Sequence, residues 1–211
     1  MTKVKKDNNV LLNELREKML RDDELPLKDG ATNLVFGDGN PEAEIVFIGE
    51  GPGRWEDEKG LPFVGNSGKL LNQLLESINL PREEVYITNV VHYRPPNNRD
   101  PLPEELAAFR PYLNKIVSII EPKMIVTLGR FSMGKFFPGV TIGTIHGKPR
   151  EIKWRTNKIV VVPMYHPAAG LRNGEFKKRL VEDFKVIPRI LDELRSKQEE
   201  VENDVEQMEL V

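Results

Sequence analysis

Residues 45–75 read IVFIGEGPGRWEDEKGLPFVGNSGKLLNQLL, and this stretch changes character twice along its length. Ile45 to Ile48 is a short apolar run that ends in Gly49-Glu50-Gly51-Pro52-Gly53. An acidic, glycine-bounded loop follows. Beyond it Leu70, Leu71, Leu74, Leu75 and Ile78 recur at helical spacing, which predicts an amphipathic helix over 67–79. A strand, a tight turn and a long loop thus feed a helix N-terminus. Short buried strands of β-branched residues belong to parallel α/β sheets, whose ligands lie outside the carboxyl ends of the strands. The functional site is therefore expected at this loop.

Two phosphate-binding motifs fail here. A G-x-G-x-x-G fingerprint starting at Gly49 meets Arg54 at its last glycine, and Pro52 stiffens the turn. A P-loop ending in Gly68-Lys69 would need glycine at Phe63 and Ser or Thr at Leu70.

Outward from this stretch, the apolar runs 85–91, 123–128 and 158–163 read as further strands, the last closing on the loop at His166. Helical periodicity marks 10–20, 103–120, 131–137 and 175–194, with an interruption expected at Pro188. The pattern is βαβαβ with a return strand. Segments 22–37 and 92–103, rich in Gly, Pro or Asn, read as ordered loops. Lys148, Arg150, Lys153, Arg155 and Lys158 alternate with Ile152 and Trp154, which fits either a DNA contact or the wet face of an edge strand.

The 211 residues, 39% hydrophobic, suffice for one core, and no composition shift requires two domains. Residues 198–211 hold six acids and no base, so residues 1–197 carry 31 basic and 27 acidic residues, net +4. The reading is one domain over 1–197 and an acidic, disordered tail over 198–211. Cysteine is absent and there are three histidines, His92, His146 and His166, which excludes disulfides, thiolate catalysis and a histidine-rich zinc centre. No run approaches a membrane span and the first residues lack a signal-peptide core, so a cytoplasmic protein is expected.

The turn Gly49–Gly53, the segment Gly60–Leu71 with its Pro62-Phe63-Val64-Gly65, the run Tyr86–Val91, Arg94-Pro95-Pro96 and His166–Asn173 together resemble the uracil-DNA glycosylase superfamily, specifically its thermophile-type family 4. The resemblance covers about residues 27–173. It implies a three-layer α/β/α fold around a mostly parallel four-stranded sheet. The implied activity is a monofunctional hydrolase that extrudes uracil from DNA and cuts its N-glycosidic bond.

By the same resemblance Phe63 stacks on the base, Asn89 reads its polar edge, and Gly51 offers a backbone amide near O2. His166 donates to O2. An amide side chain suits this reading, since it presents a donor and an acceptor to the adjacent O4 and N3–H of uracil. The superfamily's classical branch has aspartate where Gly51 stands, which leaves Glu50 as the carboxylate for positioning water or supporting the sugar cation. The helix N-terminus at Asn66-Ser67 reads either as a phosphate site, with Ser67 in contact with DNA, or as a simple cap. Leu171 and Arg172 are implied to enter the minor groove, the alternative being a turn that packs Leu171 inward.

Four cysteines that hold an iron–sulfur cluster in this family fall, by flanking residues, at Asp22, Leu25, His92 and Phe109. Neither a metal nor another cofactor is therefore expected, and an apolar contact of Leu25 with Phe109 is expected to replace part of the clamp. The expected partner is uracil-containing DNA, single- or double-stranded. A sliding clamp is a candidate partner, no membrane is involved, and the chain is expected to be a monomer. Two other readings stand beside this one: a catalytically silent sensor of uracil or bent DNA, and a small-nucleotide-binding α/β protein.

Overall fold

Three short runs buried at every position, β2 (Ile45–Gly49), β3 (Tyr86–Asn89) and β4 (Met124–Leu128), make the middle of a sheet in the computed structural model. The structure describes residues 7–155 and 157–209, as backbone alone at 157 and 198–209. With β6 (Asn157–Met164) these strands pair in parallel in the order β3-β2-β4-β6, Phe47 standing beside Ile87 on one side and Val126 on the other. Strands buried on both faces have no polar alternation, which is why they read as continuous apolar runs.

The expected four strands are the parallel centre of a six-stranded sheet. Two antiparallel edges complete it: β1 (Asp38–Gly39) on β3, and β5 (Arg150–Trp154) on β6. Arg150 and Lys153 of the basic stretch thus lie on an edge strand, exposed as edge protection requires, and Lys158 lies on β6 beside it.

Alternating residues of β2 feed two cores. Val46 and Ile48 pack in one with Leu12, Leu15 and Met19 of α1 (Asn8–Arg21) and Phe109, Leu113 and Ile116 of α4 (Pro103–Ile120). Ile45 and Phe47 pack in the other with the leucines of α3 (Asn66–Ser77), Leu180 and Phe184 of α8 (Gly174–Phe184), and Ile187 and Leu191 of α9 (Val186–Glu209). Each such side chain contributes about 1.5–3 kcal/mol before entropy is counted. Helices on both faces of one sheet give the expected three layers.

Three expectations are corrected. The acidic stretch after Gly53 is no loop but α2 (Arg54–Lys59), closed by Gly60 in the left-handed conformation. The segment after His166 is α7 (Pro167–Arg172). The interruption near Pro188 falls at Lys185, between α8 and α9, and Pro188 is the third residue of α9, in a first turn that needs no amide from it. Two further short helices, α5 (Arg130–Phe136) and α6 (Ile142–Ile145), bridge β4 to β5. The backbone of α9 continues through most of the acidic stretch read as a tail.

Candidate active site

The carboxyl ends of the parallel strands meet at one edge of the sheet, where a cleft of about 390 Å³ opens. Glu50 and Gly51 follow β2, Asn89 ends β3, and His166 follows β6. These four line the cleft together with Phe63 and Ser67. The structure therefore brings together six of the eight residues singled out in the sequence. Leu171 and Arg172 stand apart at the end of α7, with Leu171 51% exposed, so the inward-packed alternative for that leucine is excluded.

Asn89 is 1% exposed, and its Oδ1 has no hydrogen-bond partner among the described residues. A buried acceptor left open is costly, by about 1–3 kcal/mol, unless a ligand supplies the donor. The Phe63 ring lies close to it. A Cβ on Gly49 would fall 2.4 Å from Asn89 Oδ1 and 2.6 Å from Phe63 Cε2, so only glycine lets ring and amide converge there.

Phe63 itself is held in a left-handed conformation, φ 51°, which a bulky residue adopts only under constraint. Two charged side chains supply it. Glu56 Oε1 accepts from the amides of Val64 (3.0 Å) and Gly65 (2.8 Å). On the other side Arg82 donates to the Pro62 carbonyl at 2.7 Å, the Phe63 carbonyl at 3.4 Å and Asn72 Oδ1 at 3.0 Å.

His166 caps α7. Its Nδ1 accepts from the Ala168 amide at 3.1 Å, so the proton of the neutral ring sits on Nε2. Burial pushes the pKa down to about 4, with Glu56 opposing and Arg172 reinforcing the shift. At neutral pH the ring is thus an uncharged Nε2–H donor, 5.7 Å from the Phe63 ring between centroids. Burial raises the pKa of Glu50, helped by Asp100 and opposed by Arg130. A side chain at Gly51 would begin 2.6 Å from Val91 Cγ2, so a carboxylate there would require the Val91 side chain to shift.

The first turn of α3 starts at Gly65 with no side-chain cap, so neither Asn66 nor Ser67 spends its side chain on capping. Both line the cleft mouth. That favours the phosphate-site reading of this end. Sequence reasoning missed Trp55, Glu56, Asn98 and Arg99, all lining the cleft, and Arg82 behind it. Trp55 and Glu56 were hidden in a stretch read as loop. Asn98, left-handed at φ 53°, and Arg99, paired with Glu105, belong to a segment that offered only turn residues.

Residues 36–185 match the family model described as the uracil DNA glycosylase superfamily. Over 184 residues, 83% of each chain, the sequence is 47% identical to the type-4 uracil-DNA glycosylase of Sulfurisphaera tokodaii. The chain belongs to the type-4 uracil-DNA glycosylase family. It is 49% identical over 161 residues to the type-4 enzyme of Archaeoglobus fulgidus, covering 74% of this chain and 81% of that one. A type-5 uracil-DNA glycosylase of Thermus thermophilus matches at 34% over 114 residues, 47% of this chain and 52% of the other.

The iron–sulfur cluster expected of a type-4 uracil-DNA glycosylase does not fit the residues present. Leu25 and Phe109 are buried in one core, and the His92 ring lies 5.6 Å from Phe109 and 6.2 Å from Phe36. His92 Nε2 meets Thr88 Oγ1 at 3.3 Å, and Asp22 accepts from the Tyr112 hydroxyl. Burial alone drives the His92 pKa down to about 3. Among the described residues no group of three His, Cys, Asp or Glu could hold a metal ion. No described helix is long and apolar enough to cross a membrane.

Proposed function

We propose that this protein hydrolyses the N-glycosidic bond of deoxyuridine in DNA, releasing uracil and leaving an abasic site. The observation that carries the reading is the unpartnered amide oxygen of Asn89, buried beside Phe63 and in one cleft with the neutral His166. The similarity to type-4 uracil-DNA glycosylases over most of the chain supports it.

In this reading Phe63 stacks on the extruded base, a contact worth about 1–3 kcal/mol that offsets the few kcal/mol of flipping. Asn89 Oδ1 takes the N3–H of uracil and its NH₂ meets O4; cytosine presents the opposite pattern and is rejected. The N1–C1′ bond breaks with its electron pair on the base, and the Gly51 amide and His166 Nε2–H donate to O2, where that charge collects. Glu50 orients the water whose oxygen adds to C1′, or steadies the cationic sugar; the proton that this water loses goes to Glu50 or solvent, and the uracil anion takes one from solvent. Ser67 and the α3 N-terminus take a backbone phosphate. Leu171 fills the space left in the duplex while Arg172 takes another phosphate.

The finer parts of the reading are a body over 1–197 with an acidic tail over 198–211, a cytoplasmic monomer, and a sliding clamp as candidate partner. A silent sensor has no observation in its favour.

The test is chromatographic detection of free uracil from an oligonucleotide carrying one uracil, beside a matched oligonucleotide carrying cytosine. Release from the first alone is expected. Asn89→Ala and His166→Ala should slow single-turnover excision about 10²- to 10³-fold without unfolding the protein. Folded variants at the wild-type rate would remove the site assignment.

A further inference from the structure

Trp55 is the second residue of α2, lines the mouth of the cleft and is 52% exposed. Large apolar side chains on a surface are ordinary singly, but an indole at the lip of a substrate cleft is placed where a ligand passes. Its ring has neighbours on two sides. The Arg54 guanidinium lies 5.5 Å from the ring centroid, with Arg54 Nε held by Glu58 at 2.8 Å, and a Cβ on Gly65 would fall 3.3 Å from Trp55 Cδ1. One edge of the indole thus rests against the start of α3 while half of its surface stays open to solvent. The cleft therefore holds two aromatic rings at two depths, Phe63 buried at 6% exposure and Trp55 at the rim.

Connectivity of the substrate decides what meets the outer ring. A uracil seated at the floor remains bonded through its sugar and phosphates to the nucleotides on either side, so a neighbouring nucleotide must lie at the lip. Extruding one nucleotide leaves a face of the adjacent base without its stacking partner. Every base has a π-face, so an aromatic ring there is satisfied by any of the four. Arg54 and Arg99 line the same mouth, each already held by a carboxylate, Glu58 and Glu105, so the indole and not a free cation is the group this lip offers.

We infer that the Trp55 indole is a stacking platform for an unpaired nucleobase adjacent to the uracil, which makes single-stranded DNA the substrate form that this lip serves best. The inference rests on the uracil-excision reading for its place in the strand. In a duplex the adjacent base keeps its complement and its other stack, so it has less to gain from the indole.

The probe is a short single strand carrying one non-hydrolysable uracil nucleotide, with indole fluorescence as readout. The chain has two tryptophans, and Trp154 packs on Phe136 from β5 outside the cleft lining, so quenching reports on Trp55. Quenching on binding is expected in the wild type and its loss in Trp55→Ala. In excision assays Trp55→Ala should raise the half-saturating concentration of single-stranded substrate about 5- to 100-fold, with the loss falling there and not on the maximal rate. Trp55→Phe should recover most of it, and duplex substrate should suffer less. Unquenched fluorescence, an unchanged half-saturation, or equal losses on single strand and duplex would each overturn the inference. A wild-type protein that quenched on the probe yet released no uracil would instead strike the excision reading.

Discussion

Replacing His92 should flatten the acid side of the stability profile. The imidazole is wholly buried between Phe36 and Phe109; because the Thr88 hydroxyl donates to the Phe36 carbonyl, it accepts from His92 Nε2–H, and His92 Nδ1 has no partner among the described residues. No charge contributes to its shift; burial alone lowers the pKa from 6.5 to about 3. A group depressed in the folded state contributes stability that is present above its unfolded pKa and lost as pH falls toward the folded one. Between pH 7 and 4.5 the unfolded chain gains nearly one proton at His92 that the folded chain refuses. At ~1.4 kcal/mol per pH unit per proton this removes about 2.5 kcal/mol. His166, lowered to about 4, acts in the same direction, and it remains in the variant. Urea melts followed by circular dichroism across that range should therefore show wild type losing roughly 2 kcal/mol more than His92→Leu. Equal losses would show that His92 titrates normally and that the position where the family has a cluster cysteine is open to water.

Arg82→Ala should release the Pro62–Phe63 turn and slow excision about 10- to 100-fold, and it should add little in a Phe63→Ala background; additive losses in that single-turnover cycle would show that Arg82 does not act through the ring. The acid limb of single-turnover excision should lie above the ordinary carboxylate value of 4.5, because burial raises Glu50 and its protonated form cannot hold water for attack, whereas His166 stays neutral down to about 4. The limb should vanish in Glu50→Gln, and its persistence there would transfer the role to another group. Leu171→Ala should slow excision from duplex more than from single strands, since an exposed leucine has a base stack to fill only in the duplex; equal effects would remove the wedge. Truncation after Lys197 should leave excision intact and tighten DNA binding slightly at low salt, a result that loss of folding would contradict.

What the sequence showed and what it hid divide along physical lines. The parallel centre was legible because strands buried on both faces, such as Phe47 between Ile87 and Val126, leave uninterrupted apolar runs. β1 is two residues, Asp38 and Gly39, and is held by pairing with β3, so no local pattern announces it. RWEDEK of α2 has one apolar residue and PAAGLR of α7 is six residues long, too little for a period, and both helices exist through caps and packing. Within the site, Glu50, Asn89 and His166 were singled out by the resemblance, and the structure places each at or just after the end of a parallel strand. Arg82 was not singled out, because its meaning lies in a carbonyl at Phe63 nineteen residues away. Glu56 and Trp55 needed the direction of α2 before one could brace a turn and the other reach the lip.

The most direct measurement is a denaturing gel of an oligonucleotide labelled at one end, with a single uracil, incubated with purified protein in the presence of chelator and then treated with alkali. One break at the uracil, none in the matched cytosine or thymine strand, and undiminished cleavage in chelator are expected of an enzyme whose cleft reads uracil through Asn89 without a cluster. An uncut strand at saturating protein that is demonstrably folded, or cleavage that disappears with chelator, would contradict it.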